Sequence, residues 1–143
     1  MTSYFSIVTR SPEETVSLGR ELGKEVQPPC LVLLEGELGS GKTTLVKGIL
    51  ATLASIPEDE VTSPSFTLVH EYGGGKAYHV DLYRVEGARD LATLGLDDLL
   101  DREATVLIEW GEKLGEKAPR PCVRVRLEHL GLHQRRVTVE QLK

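Results

Sequence analysis

Cysteine is scarce in this chain. Cys30 and Cys122 stand alone, with no C-x-x-C pair and no histidine nearby at ligand spacing, so they read as two reduced structural thiols. Positive charge is not in excess either. The 17 Lys and Arg residues face 22 Asp and Glu, a net −5, which argues against a general nucleic-acid binder and leaves room only for a local basic patch. No run approaches the apolar length of a membrane span, and residues 1–20 lack the apolar core of a signal peptide. The expectation is a cytoplasmic protein with no membrane role. There is no internal repeat and no low-complexity segment. Tryptophan occurs once, at Trp110. What remains is an ordinary globular balance over 143 residues, which suits one domain, residues 1–143, with one core.

The most informative stretch is residues 31–44, LVLLEGELGSGKTT. Residues 31–35 read as a buried strand with one polar end. Residues 36–43 then fit G-x-x-x-x-G-K-[ST] at every fixed position. Leu45, Val46, Ile49, Leu50 and Leu53 follow at helical steps of three and four. Strand, glycine-rich turn and amphipathic helix form the context in which this motif binds phosphate. Glycines admit backbone angles that a Cβ opposes, so successive N–H groups can turn inward around an anion. The helix start adds its positive dipole end. The expected phosphate-binding residues are Glu37, Leu38, Gly39, Ser40, Gly41, Lys42, Thr43 and Thr44. The Lys42 ammonium should reach the β- and γ-phosphates, and the Thr43 hydroxyl should coordinate Mg²⁺.

The rest of the chain reads as alternating elements. Residues 4–9 form a short strand. Ser11 is an N-cap with Pro12 at the first helical position and Glu14 closing a capping box. Leu18, Leu22 and Val26 give that helix its apolar stripe, and Gln27-Pro28-Pro29 ends it. Residues 58–64 are loop. Two β-type runs, residues 66–72 and 76–83, flank Gly73-Gly74-Gly75 as a hairpin. Residues 86–101 are helical in parts, with apolar Leu91, Leu94, Leu99 and Leu100 and a break near Gly95. Residues 104–108 are a second buried strand ending in Glu109-Trp110. Residues 111–121 are loop or short helix, and a C-terminal hairpin turns at Gly131. The reading is an α/β fold: a single P-loop NTPase-like domain, with a mixed, mostly parallel central sheet flanked by helices and with β-hairpins.

A phosphate loop needs a carboxylate near its metal. Glu109, ending an apolar strand, is the first candidate by analogy with the Walker-B acid. Asp81 is the second. His79, Asp81 and Tyr83 alternate onto one side of a strand, as a polar row beside the site or as an exposed face. Arg84 can neutralise phosphate charge or pair with Asp81. Thr62-Ser63-Pro64-Ser65-Phe66 is a hydroxyl-rich loop with a stiffening proline, suited to sensing a γ-phosphate or to ordinary turn chemistry. Trp110 on its own reads as core packing. Arg120, Arg124, Arg126, Arg135 and Arg136 read as a solvated hairpin face, with direct tRNA contact as the lesser reading.

The loop GELGSGKTT, then TSPSF, HVDLYR and LIEW, in this order and spacing, closely resembles the TsaE (YjeE) family of small P-loop ATPases. Residues 15–19 and 131–137 look like that family too, so the resemblance covers nearly the whole chain. Ser65 stands where the family more often has Thr, and Gly111 where it usually has Pro. The resemblance implies an ATP-hydrolysing partner of the bacterial tRNA threonylcarbamoyladenosine machinery, acting with TsaD and TsaB and meeting tRNA through that complex. It implies that ATP and Mg²⁺ are bound, that Thr43 and Glu109 hold the metal, and that Lys42, Asp81 and Glu109 serve hydrolysis. It makes residues 63–66 a switch, with His79, Tyr83, Arg84 and Trp110 linked to the switch or partner. The rival readings are a small-molecule phosphotransferase and a nucleotide-dependent adaptor that barely turns ATP over.

Overall fold

The structure, a computed structural model, describes residues 4–64, 68–87, 90 and 95–143, with only the backbone of Glu116. The expectations for Ser65, Phe66, Leu91 and Leu94 lie outside these residues. Seven strands form one sheet: β1 (Tyr4–Thr9), β2 (Cys30–Glu35), β3 (Val69–Tyr72), β4 (Ala77–Asp81), β5 (Thr105–Glu109), β6 (Cys122–His129) and β7 (Arg135–Leu142). Their order is β1-β7-β6-β2-β5-β4-β3. The central strands β6, β2, β5 and β4 run parallel to one another, and both margins are antiparallel. The helices among the described residues are α1 (Pro12–Glu25), α2 (Lys42–Ala54) and the short α3 (Leu96–Leu100).

Strand alternation explains how the sheet is covered. In β2, Val32 and Leu34 point into a core shared with Leu45, Val46, Ile49 and Leu50 of α2. Leu31 and Leu33 point the other way, toward Val106, Ile108, Leu96 and Leu99. A strand buried on both faces reads as a continuous apolar run, which is why residues 31–34 carry no polar alternation. The five expected apolar positions of α2 are all buried.

Helix α1 starts as its sequence directs. Ser11 Oγ accepts the Glu14 N–H at 3.1 Å. The return half of the expected capping box is shifted by one residue. The Glu14 carboxylate accepts the Arg10 N–H at 2.8 Å rather than that of Ser11. The predicted strand 76–83 is shorter than expected, Ala77–Asp81: the Leu82 N–H makes a last bond to β5 at the Glu109 carbonyl, and the chain turns at Tyr83.

The packing of α1 on α2 rests on glycines within helices, where propensity disfavours them. A methyl built at Gly48 would meet the Val16 carbonyl oxygen at 2.0 Å, and one at Gly19 the Leu45 carbonyl oxygen at 2.3 Å. Backbone therefore lies against backbone at this crossing, and it holds the start of α2 against the sheet. Gly48→Ala should destabilise the fold by about 2 kcal/mol through overpacking. In an open helix the same change would stabilise by up to about 1 kcal/mol. Urea unfolding of the variant decides between the two signs.

Candidate functional site

Three parallel strands deliver carboxylates to one edge of the sheet. Asp81 at the end of β4 is in register with Glu109 at the end of β5, and Glu109 in turn is in register with Leu34, one residue before Glu35 ends β2. In open α/β sheets this carboxyl edge is where ligands bind. The glycine-rich loop, residues 36–41, leaves β2 here and enters α2. It opens with a tight turn closed by the Ser40 N–H on the Glu37 carbonyl at 3.0 Å, with Gly39 at φ +76°. The first α2 bond runs from the Leu45 N–H to the Gly41 carbonyl at 2.9 Å. No side chain caps the amides before it. They are the unsatisfied donors of a helix start, and they face the cleft.

Lys42 is buried. Its Nζ donates to the carbonyls of Gly36 and Glu37, and it lies 3.8 Å from the centroid of the Trp110 ring. Burial holds its ammonium below the ordinary lysine value, and the nearby carboxylates of Glu109, Glu112 and Asp81 oppose that shift. The next residue, Thr43, donates its hydroxyl to Glu109, whose two carboxylate oxygens lie 2.8 and 3.0 Å away. Glu109 is 3% exposed. Behind it, His79 Nε2 is 2.5 Å from Oε2, and His79 is wholly buried. His79 Nδ1 has no hydrogen-bond partner among the described residues.

Asp81 is tied to the expected switch segment. It accepts the Ser63 hydroxyl at 2.7 Å and the Tyr83 N–H at 2.9 Å. Pro64 is buried, its carbonyl accepting the Leu68 N–H at 2.8 Å. Arg84 follows on the exposed turn. Trp110, a non-glycine residue at φ 61°, leaves β5 in a left-handed kink. The kink sets its ring over Lys42 and 5.0 Å from the ring of Tyr83. A cleft of about 410 Å³ joins these groups, lined by residues 38–44, Ser63, Asp81, Tyr83, Glu109, Trp110 and Arg135.

Several sequence readings change here. Of the two readings left open for His79, the structure shows the one beside the site: it lies inside, against Glu109, and not on an exposed strand face. Tyr83 has left the strand and does not extend the His79–Asp81 row. Trp110 lines the cleft rather than filling the core alone. The arginines do not form one solvated face: Arg124 and Arg126 pair with Glu35, Arg136 pairs with Glu128, and Arg135 bonds the glycine-rich loop. Two participants went unseen in the sequence. Arg135 reaches Ser40 across the fold, a contact with no local signal. Glu112 accepts the Gly36 N–H at 3.1 Å, and only its place just past Glu109 hinted at it.

Fold and site together describe a mixed α/β protein whose central parallel strands present a glycine-rich loop, a lysine and buried carboxylates at one edge. Comparison with known proteins narrows this. The family model "Threonylcarbamoyl adenosine biosynthesis protein TsaE" matches residues 9–137, and the chain belongs to the TsaE family. It is 34% identical to the tRNA threonylcarbamoyladenosine biosynthesis protein TsaE of Treponema pallidum, covering 92% of this chain and 97% of that one. The Bacillus subtilis protein of the same name is 33% identical, with 91% and 81% covered. Among solved structures, Bacillus subtilis YdiB superposes with a TM-score of 0.77 at 28% identity, covering all of this chain and 88% of that one.

The buried His79–Glu109 contact makes a measurable claim about the site alone. His79→Leu strands a buried carboxylate and should cost about 3 kcal/mol of stability, whereas His79→Leu with Glu109→Leu should recover much of that loss. Urea unfolding of both single variants and the double variant closes the cycle. Additive losses would mean that the two side chains are not coupled.

Proposed function

We propose that the chain binds ATP with Mg²⁺ at the glycine-rich loop and hydrolyses it in support of tRNA threonylcarbamoyladenosine biosynthesis, acting with TsaB and TsaD. The observation that carries this reading is the meeting of Lys42, the Thr43 hydroxyl and the buried Glu109 carboxylate at the uncapped start of α2. Amides and ammonium supply anion binding. The hydroxyl and carboxylate are hard oxygen donors of the kind Mg²⁺ takes. Among the described residues there is no group of three or more His, Cys, Asp or Glu fit for a metal. Mg²⁺ commonly takes one or two protein ligands and completes its shell with water and phosphate. Thr43 and Glu109 would hold it, and when bound it neutralises developing phosphate charge.

The chain's own groups divide the remaining work. Lys42 exchanges its carbonyl partners and the Trp110 face for phosphate oxygens. Asp81, already bonded to Ser63, orients the attacking water or ties the 62–66 segment to the nucleotide. Water attacks the γ-phosphorus, the bond to the β–γ bridging oxygen breaks, and ADP and phosphate leave, with the water's protons passing to phosphate and solvent. The donors of Arg135 are engaged by backbone carbonyls. Arg135 is thereby committed to the backbone, and Lys42 and the loop amides would share the transition-state charge with the metal. An arginine supplied by a partner is worth roughly 10³- to 10⁵-fold in such enzymes, so slow turnover alone and a changed rate with TsaB–TsaD are expected.

Trp110 gives a direct readout, because it is the single tryptophan and Lys42 sits on its ring. ATP should change its fluorescence in the wild type. Lys42→Ala should lose most ATP affinity by calorimetry while staying folded. Asp81→Ala should bind ATP and lose turnover on the order of 10²-fold, measured with and without TsaB–TsaD. Normal ATP affinity in folded Lys42→Ala would sink the assignment. Rapid hydrolysis only with a small-molecule acceptor would favour a phosphotransferase, and tight ATP binding with no turnover in any mixture would favour an adaptor.

A further inference from the structure

Arg135 opens β7, far in sequence from the glycine-rich loop, yet its guanidinium is spent almost entirely on that loop and on its own turn. Nε donates to the Ser40 carbonyl at 3.0 Å and Nη2 to the Gly39 carbonyl at 3.2 Å. Nη1 spans the carbonyls of Gly131, Leu132 and Gln134 at 3.1, 3.4 and 2.9 Å. All of these described partners are backbone carbonyls. The two loop bonds have a consequence that follows from peptide planarity. In a trans peptide the C=O and the next N–H point in opposite directions. Pulling the Gly39 carbonyl outward turns the Ser40 N–H inward, where it closes the turn on Glu37. Pulling the Ser40 carbonyl outward turns the Gly41 N–H away from Arg135.

We propose that Arg135 is a positioning residue, a clasp that fixes the 39–40 and 40–41 peptide planes from outside so that the loop amides face the anion before it arrives. The same fork joins the loop to the β6–β7 turn, residues 130–134, where Leu132 is 84% exposed. Occupancy of the loop is thereby coupled to the order of an apolar surface turn, and the coupling is reciprocal. The nucleotide part of this proposal rests on the reading above. The pre-ordering of the loop does not.

Hydrogen exchange resolved to single amides tests it on the full chain, without nucleotide and with MgATP. In nucleotide-free Arg135→Gln, the Ser40 amide, bonded to the Glu37 carbonyl, and the Leu130 amide, bonded to the Gln134 carbonyl, should exchange about tenfold faster than in wild type, the scale of one lost charge-assisted hydrogen bond, with β2 and β5 amides unchanged. MgATP affinity should fall by a similar factor. In wild type, MgATP should slow exchange at Leu130, and in Arg135→Gln it should not. Arg135→Lys keeps the charge and the aliphatic stem but lacks the fork, so its loop should exchange like that of Arg135→Gln. Unchanged loop exchange in nucleotide-free Arg135→Gln would overturn the clasp, as would full recovery by Arg135→Lys, which would make Arg135 a simple charge. Faster exchange throughout the sheet would also overturn it, because the residue would then serve the fold as a whole. Should wild type fail to bind ATP, the nucleotide reading falls while loop exchange still decides the clasp.

Discussion

A carboxylate almost wholly out of water sets the terms for this site. Glu109 sits at the end of a strand packed on both sides, and a buried charge survives only with close partners. The fold provides them from two elements. His79 approaches from the neighbouring strand, Thr43 from the first turn of α2, and Lys42 adds positive charge from the same turn. Each partner is itself fixed by something larger. His79 is held by the β4–β5 register, and Thr43 and Lys42 by the angle at which α2 leaves the loop.

The same helix lies backbone to backbone on α1 at Gly19 and Gly48, so the helical layer and the charge cluster share α2. The loop between β2 and α2 is held from both flanks. Glu112 takes the Gly36 N–H at its start, and Arg135 takes the Gly39 and Ser40 carbonyls at its crest. Arg135 bonds carbonyls of the loop and none of its amides. On the proposed reading, binding replaces one set of partners by another: Lys42 leaves carbonyls and an indole face for phosphate, and Thr43 and Glu109 turn from each other to a shared cation.

Local chemistry made much of this legible in the sequence. The turn glycines, the Ser11 cap, the apolar face of α2 and the strand ending in Glu109 each obey short-range rules, and each is found where those rules put it. Of the central parallel strands, β2 and β5 followed from continuous apolar runs. What stayed hidden depends on distance along the chain. His79 looked amphipathic because alternation alone cannot tell a solvent face from a face covered by another strand's acid. Arg135 looked like one of several hairpin arginines, and nothing local distinguishes the one whose fork meets a loop 95 and 96 residues away. Gly19 and Gly48 carried no signal as a pair, since helix propensity marks each only as a defect. Trp110 on its own read as core packing, and the left-handed kink that sets its ring over Lys42 is not forecast by composition.

The central claim is that Glu109 and Thr43 form the metal-facing half of a nucleotide site. Its most direct test is the Mg²⁺ dependence of ATP affinity, by calorimetry in Mg²⁺ and in EDTA, for wild type and Glu109→Gln. The amide keeps the size and a polar contact to Thr43 but removes the charge. The account predicts that EDTA weakens ATP binding in wild type and changes it little in Glu109→Gln. The same Mg²⁺ dependence in both proteins would contradict it.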